Sequence, residues 1–174
     1  MKRNTSIRKI TIASVLTAVA LTIYLIEANI PALAPVPGIK LGLSNIVTIF
    51  TLYILGPRIA LAVLVCRIML GGFTTGQPAA ILYSMSGGLA AFLFALLTYR
   101  RFHKKHIWVL SSLSAVVHNL GQLAAAALVM NTGGLFLIYS PALIASGVIT
   151  GAFTGAAAQA LLHRLVKNGI VEYY

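Results

Sequence analysis

Long apolar segments, separated by short polar or proline- and glycine-rich stretches, run along almost the whole chain. Apolar side chains make up 59% of the 174 residues and charged side chains only 9%, whereas about a quarter of a soluble domain is charged. A membrane-spanning helix needs about 20 residues, so six such segments use nearly all of the chain. The sequence therefore predicts a single all-α integral membrane domain over residues 1–174 and argues against a soluble globule.

The apolar segments predict a bundle of six spans, at residues 10–30, 41–55, 59–71, 79–98, 107–130 and 141–162. The prolines from Pro31 to Pro37 end the first span and make a proline-rich external loop. Ser140 and Pro141 favour the start of the sixth helix, with residues 135–139 as an apolar lead-in. The second and third segments reach only about 18–23 Å, less than the hydrocarbon core, and short spans of this kind point toward a binding site.

The distribution of positive charge predicts the orientation. Of the 13 lysines and arginines, all except Lys40 and Arg67 lie in the two tails, the second-to-third turn or the fourth-to-fifth loop. The positive-inside rule then predicts a multi-pass membrane protein with both termini in the cytoplasm. We expect the membrane to be the bacterial cytoplasmic membrane. The first apolar segment is longer than the about 7–15 residues of a signal peptide, so we expect it to be retained as a span. Charges scattered over loops do not indicate a nucleic-acid partner.

Few residues could carry catalysis. Aspartate is absent, the two glutamates are Glu27 in the first apolar segment and Glu172 at the C-terminus, and Cys66 is the single cysteine. Paired-carboxylate chemistry, an intrachain disulfide and a cysteine-based metal cluster are therefore excluded. The sequence predicts no catalytic residue, no metal and no cofactor. It also lacks a phosphate-binding G-x-x-x-x-G-K-[ST] loop, so ATP-driven transport would need a separate ATPase.

Ionisable side chains inside a membrane are costly, and this cost marks Glu27, Arg67 and His118 as candidate functional residues. Arg67 has two interpretations, a structural pair with Glu27 or contact with a ligand. Lys40 is the single basic residue predicted on the external side, either as an interfacial lysine or as an anion contact at a substrate mouth. Ser44 or Asn45 would end the external loop and cap the second helix.

Three large polar residues lie close together in the fifth span. His118, Asn119 and Gln122 fall within about one helical turn, with positions 118 and 122 on the same face. A lone histidine is more often a core residue, but three such groups in one turn need several hydrogen-bond partners. The cluster therefore favours a ligand- or water-filled cavity over a purely structural role.

Small residues predict close helix packing. Gly147, Gly151 and Gly155 recur every four residues in the sixth span, and this spacing favours packing within the chain over an interface with another subunit. In the first span, small side chains lie on a comparable face near the cytoplasmic end, at Ala13, Ser14, Thr17 and Ala18.

Several motifs together resemble one family. They are Lys40-Leu41-Gly42-Leu43-Ser44-Asn45, Arg67-x-x-x-Gly71-Gly72, Ser84-x-Ser86-Gly87-Gly88 and His118-Asn119-x-Gly121-Gln122. On these motifs the chain resembles the Gx transporter family, also labelled heptaprenyl diphosphate synthase component I, across most of residues 7–165. Its first helix, its proline-rich loop and Leu-Gly-Pro-Arg at 55–58 also resemble the substrate-binding S components of energy-coupling factor (ECF) transporters.

The resemblance to S components implies an uptake function. It implies a six-helix bundle that captures a small molecule from outside and works with a transmembrane coupling protein and cytoplasmic ATPases, in contact with membrane lipid. The small-residue face of the first helix would dock on the coupling protein through Ala13, Ser14, Thr17 and Ala18, of which two are Ser and Thr where the stricter family form has Ala. The ligand would lie among Lys40, Asn45, Arg67, His118, Asn119 and Gln122.

The second family label implies an alternative function. Prenyl diphosphate synthases hold Mg²⁺ and diphosphate with aspartate-rich motifs, and this chain has no aspartate. The chain would then be a non-catalytic membrane partner of such a synthase. A related alternative is a membrane subunit of a flavin- or quinone-linked electron-transfer system.

Overall fold

The structure, a computed structural model, describes residues 2–30, 39–102 and 106–171, without the side chains of residues 2–6. In these ranges it contains six helices and no strand: α1 (Lys2–Glu27), α2 (Asn45–Leu55), α3 (Pro57–Thr75), α4 (Pro78–Thr98), α5 (Ile107–Val129) and α6 (Gly134–Lys167). The proline-rich loop predicted at 31–38, Lys104 and Lys105 of the basic loop, and Glu172 lie outside the described residues.

Five of these helices are long and apolar enough to cross a membrane. They are α3, α4, α5, α6 and the part of α1 from Ile7 onward. The exception is α2, whose 11 residues are about 16 Å long, roughly half of a hydrocarbon core. The prediction of an all-α, multi-pass membrane bundle is confirmed.

The shortest helix lies at the centre of the bundle. α2 packs against every other helix, and all its residues except Ile46 and Ile54 are buried. A helix that is apolar around its whole circumference is stable only when it is enclosed, which explains this position. The other five form an arc around α2 in the order α1, α3, α4, α5 and α6, each packed on the next. Among the described residues, the two ends of the arc, α1 and α6, do not pack on each other.

The sixth helix begins earlier than the sequence predicts. α6 runs without interruption from Gly134 to Lys167 and contains Pro141, whereas the sequence pattern places the helix start at Ser140 and Pro141. Proline removes one backbone donor, but a helix in a membrane tolerates this where neighbouring groups satisfy the released carbonyl. Residues 135–139, predicted as a separate lead-in, are therefore the first turns of α6.

The first three helices also differ in extent from the predicted spans. α1 ends at Glu27 rather than at residue 30, and α2 begins at Asn45 rather than at residue 41. α3 continues through Gly71 and Gly72, where a break is predicted. Side chains from α1 and α4 pack so closely on these two glycines that a Cβ atom would clash with them. The glycine pair therefore allows close packing and does not end the helix.

The glycine face of α6 lies directly against α5. A Cβ atom built on Gly151 would be 2.6 Å from Ser112 Cα, and one on Gly155 would be 2.7 Å from Trp108 Cα. These neighbours are backbone atoms, which cannot rotate away. The two helix backbones therefore approach as closely as small residues in a membrane allow.

We predict that Gly151→Ala destabilises the protein by about 1–3 kcal/mol, because the added methyl group forces two packed backbones apart. Gly134→Ala in the same helix is the matched control, since no atom lies within 4 Å of its Cβ position. The measurement is the thermal unfolding midpoint in mild detergent. Equal midpoints for the two variants would contradict the packing assigned to α5 and α6.

Side-chain contacts bring several chain segments to one end of the bundle. Arg8 donates a hydrogen bond to the Ile170 carbonyl at 2.6 Å, and the Tyr53 hydroxyl donates to the Tyr99 carbonyl at 3.3 Å. The start of α1, the ends of α2 and α4, and the end of the described chain therefore lie together. We call this the basic end, because most of the lysines and arginines of the sequence flank these segments.

The positive-inside rule predicts that the basic end is cytoplasmic. In a Cys66→Ala background, we expect Gly133→Cys, between α5 and α6, to react with a membrane-impermeant maleimide in intact cells. His106→Cys, an exposed position at the basic end, should react only after the cells are permeabilised. Labelling of His106→Cys in intact cells would reverse the orientation.

Candidate functional site

The backbone before α2 is irregular and buried within the bundle. Ile39 and Ser44 are buried, and Gly42 adopts a φ of +76° that favours glycine. Since α2 is about 16 Å long and its other end lies at the basic end, this irregular segment lies well inside the thickness of a membrane. Irregular backbone at that depth is tolerated only when it is buried in protein or lines a polar cavity.

The Glu27 carboxylate satisfies one backbone donor of this segment. Glu27, the last residue of α1, is 3% exposed, and its Oε1 accepts a hydrogen bond from the Gly42 amide. A carboxylate at the start of a helix is also favoured by the helix dipole. Its other oxygen, Oε2, is buried and has no hydrogen-bond partner among the described residues.

Arg67 reaches the same place from α3. Its side chain is 1% exposed, and Nη1 donates to Ser44 Oγ at 2.6 Å. Arg67 Nε and Nη2 are buried without a hydrogen-bond partner in the described part of the chain. Arg67 and Glu27 interact electrostatically, but the hydrogen bond of the guanidinium goes to Ser44. Ser44 precedes α2, and its side chain makes no capping bond to the helix.

Lys40 lies against the aromatic ring of Tyr24. Its ammonium nitrogen is 3.3 Å from the ring centroid, a cation–π contact, and has no hydrogen-bond partner within the described ranges. Its backbone amide donates to Gln122 Oε1 at 2.9 Å. The Tyr24 side chain is 1% exposed, and its hydroxyl is likewise without a partner there. Lys40 is therefore drawn into the protein rather than held at its surface.

His118 and Gln122 form a pair on one face of α5. Their side chains are joined by a hydrogen bond between the Gln122 amide nitrogen and His118 Nε2. When the amide donates, the imidazole proton lies on Nδ1, which is buried and interacts with the Gly87 backbone of α4. The imidazole packs against Gly42, where a Cβ atom would be 2.5 Å from His118 Cδ2. A continuous set of contacts thus runs from Glu27 through Gly42, His118 and Gln122 to Lys40.

Asn119 lies next to this pair in sequence but binds a different helix. Its amide nitrogen donates to the Leu143 carbonyl at 2.9 Å and to Ser146 Oγ at 3.4 Å, so it connects α5 to α6. Asn45, in the first turn of α2, is 3% exposed. The side-chain oxygens of both asparagines are buried without a partner among the described residues.

The structure thus brings together most, but not all, of the residues singled out in the sequence. We call the group around the start of α2 the polar cluster; it consists of Tyr24, Glu27, Lys40, Gly42, Ser44, Asn45, Arg67, His118 and Gln122. Asn119 borders it and faces α6. The small-residue positions of α1 lie elsewhere, more than one helical turn toward the N-terminus, where Ser14 and Ala18 are exposed.

The sequence did not predict the roles of two members of the polar cluster. Tyr24 lies one turn before Glu27 on the same face of α1, and that spacing could have indicated it. Ser44, predicted only as a capping residue, instead accepts the hydrogen bond of Arg67. No sequence signal identifies that partner.

Several buried polar groups of the polar cluster have unused hydrogen-bonding capacity within the described part of the chain. Buried polar groups in native proteins almost always have hydrogen-bond partners, and here both donors and acceptors lack them. Among the described residues, the cluster atoms without a hydrogen-bond partner are Tyr24 Oη, Glu27 Oε2, Lys40 Nζ, Asn45 Oδ1, and Arg67 Nε and Nη2. They can hold a polar ligand from several sides.

The fold and the cluster define a class of protein: a multi-pass helical membrane protein with a polar cluster at the buried end of a short central helix. Over residues 16–161 the sequence matches the family described as Heptaprenyl diphosphate synthase component I, and the chain belongs to that family. The family membership predicted from the motifs is thereby confirmed. No curated protein and no solved structure matches the chain, so the resemblance to S components of ECF transporters stays a prediction.

We predict that Gly42→Ala destabilises the protein more than Gly76→Ala. Both glycines have positive φ, so both variants incur backbone strain, but no atom lies within 4 Å of the Gly76 Cβ position. The clash between the methyl group added at position 42 and the His118 ring should cost a further 1–3 kcal/mol or so, about what overpacking a core costs. Thermal unfolding midpoints in detergent measure the difference, and equal midpoints would show that His118 does not pack on the segment before α2.

Proposed function

We propose that this chain is a non-catalytic membrane subunit that acts together with a separate prenyl diphosphate synthase subunit. The observation that carries the proposal is the family match over residues 16–161, because the family name describes one component of a synthase. A first component implies at least one further component. The present chain would supply the membrane-embedded part of the complex.

The composition of the chain supports a non-catalytic role. Mg²⁺, which holds the diphosphate of the substrate, requires hard oxygen ligands, and synthases supply these from aspartate-rich motifs. The sequence has no aspartate and only two glutamates, and Glu27 is already engaged with the Gly42 amide. Bond formation between isoprenoid units would therefore take place on the partner subunit.

The basic end offers a surface for such a partner. Arg58, Arg101 and Arg164 are exposed there, and an aspartate-rich partner has the opposite charge. Complementary charge of this kind accelerates association and fixes orientation more than it raises affinity. A synthase held at this end would also release its apolar isoprenoid product beside the bilayer.

The polar cluster supports a second candidate, the uptake of a small molecule as an S-component-like subunit. Broken helices with buried polar groups at mid-membrane depth are typical of transporters, and α2 has this form. In this case the partners would be a coupling protein and ATPases. The small-residue face of α1, with Ser14 and Ala18 exposed, would be the docking surface.

Affinity purification of the full-length tagged chain from its native membrane tests both functions. We expect a prenyl diphosphate synthase subunit to copurify in fixed ratio, and that subunit should form long-chain product faster with the membrane chain than without it. Reversing the charge of the basic end, with Arg58→Glu and Arg101→Glu together, should reduce the recovered synthase by about tenfold. The control, Arg58→Lys with Arg101→Lys, keeps the charge and should not reduce it.

Recovery of a coupling protein and ATPases instead would favour uptake. In that case Ala18→Trp should abolish their recovery. The control is Leu128→Trp, which introduces the same side chain on α5 at a position that is 81% exposed and should not change the recovery. If the synthase subunit neither copurifies nor responds to the chain, the proposed function is wrong.

A further inference from the structure

The charges buried in the polar cluster do not balance. Lys40 and Arg67 each contribute a positive charge, and Glu27 is the single acidic residue among them, so the three sum to one positive charge. Protonation of Glu27 would only enlarge this excess. An unbalanced charge at membrane depth is costly, and in proteins it usually faces a partner of opposite sign.

Both cations of the cluster interact electrostatically with the Glu27 carboxylate. Lys40 Nζ lies over the ring of Tyr24. The same ring packs on Gly71, which is one helical turn from Arg67 in α3. Lys40 Nζ and Arg67 Nε and Nη2 are all buried without hydrogen-bond partners in the described ranges. Two cationic groups with spare donors thus lie near the one carboxylate of the cluster.

Unpartnered acceptors border these donors. Glu27 Oε2 and Asn45 Oδ1 are both buried and lack partners among the described residues, and both belong to groups at the start of α2. A simple inorganic anion would satisfy only the donors. A ligand that satisfies the whole cluster must carry an acidic group and, apart from it, a hydrogen-bond donor.

We propose that the polar cluster binds a small organic anion with one net negative charge. Its acidic group is held by Lys40 and by the spare guanidinium nitrogens of Arg67, which suit a planar, two-oxygen acceptor. Its donor group faces Glu27 and Asn45. A diphosphate carries more negative charge than the cluster can neutralise, so this site differs from the substrate site of a prenyl diphosphate synthase. The inference does not depend on the synthase partner, because it rests on residues at the opposite end of α2.

Thermal unfolding of the detergent-purified protein with paired probes tests this site. The probes are glycolate against glycolamide and 3-hydroxybenzoate against 3-hydroxybenzamide, whose hydroxyl group is the donor; the members of each pair differ in charge but little in shape. Inorganic pyrophosphate is the third probe. We expect at least one carboxylate to raise the unfolding midpoint of the wild-type protein, and its amide to leave it unchanged. Lys40→Met should weaken carboxylate binding by about tenfold or more, while Lys40→Arg should retain it. Lys9→Met removes the same charge at an exposed position of α1 and should behave as wild type.

Mass analysis of small molecules extracted from the purified protein provides a second test. An acid that copurifies with the wild type and with Lys40→Arg, but not with Lys40→Met, would support the site and identify its ligand. The proposal is overturned by equal shifts with carboxylate and amide, by a copurified ligand that is neutral, or by a larger shift with pyrophosphate than with the carboxylates. It is also overturned if no acid copurifies and no carboxylate shifts the midpoint. The comparison of carboxylates with amides uses the wild-type protein alone, so it holds even if Lys40→Met does not fold.

Discussion

The bundle depends on how the start of a short helix is satisfied inside a membrane. Every backbone donor and acceptor at hydrocarbon depth must be paired within the protein. α2 is too short to reach both membrane surfaces, so its first turn and the segment before it are enclosed by other helices. At this point the Glu27 carboxylate accepts a hydrogen bond from the Gly42 amide. The same interaction joins the end of α1 to the start of α2 and places a buried acidic group beside Arg67 and Lys40.

Close helix packing makes this arrangement possible. Glycine faces let α6 approach the backbone of α5, and Gly87 and Gly121 do the same between α4 and α5, where a Cβ atom on Gly121 would be 2.9 Å from Gly87 Cα. With α4, α5 and α6 packed in this way, His118 and Gln122 of α5 face the segment before α2, and Asn119 faces α6. The small residues therefore set the positions from which His118 and Gln122 reach the start of α2.

The sequence predicted which residues belong to the polar cluster better than it predicted their contacts. Hydropathy indicated six helices, and the cost of ionisable groups in lipid singled out Glu27, Arg67 and His118. Local patterns were less reliable where tertiary packing competes with helix-breaking residues. Pro141 lies inside α6 and Gly71 inside α3, because neighbouring helices compensate for what these residues remove. The hydrogen bond from Arg67 to Ser44 joins residues on different helices, and no local pattern encodes it.

The geometry separates the two activities proposed for this chain. A soluble partner at the basic end and a ligand at the polar cluster would lie at opposite ends of α2, about 16 Å apart. Neither could touch the other directly. α2 is the one helix that packs on all five others, and its first turn is held by the groups that would contact the ligand. Any influence of ligand on partner must therefore pass through a movement of α2 or of the helices packed on it. The polar cluster can therefore influence the basic end only if α2 moves. Because α2 is almost completely buried, it can move only together with the helices packed on it.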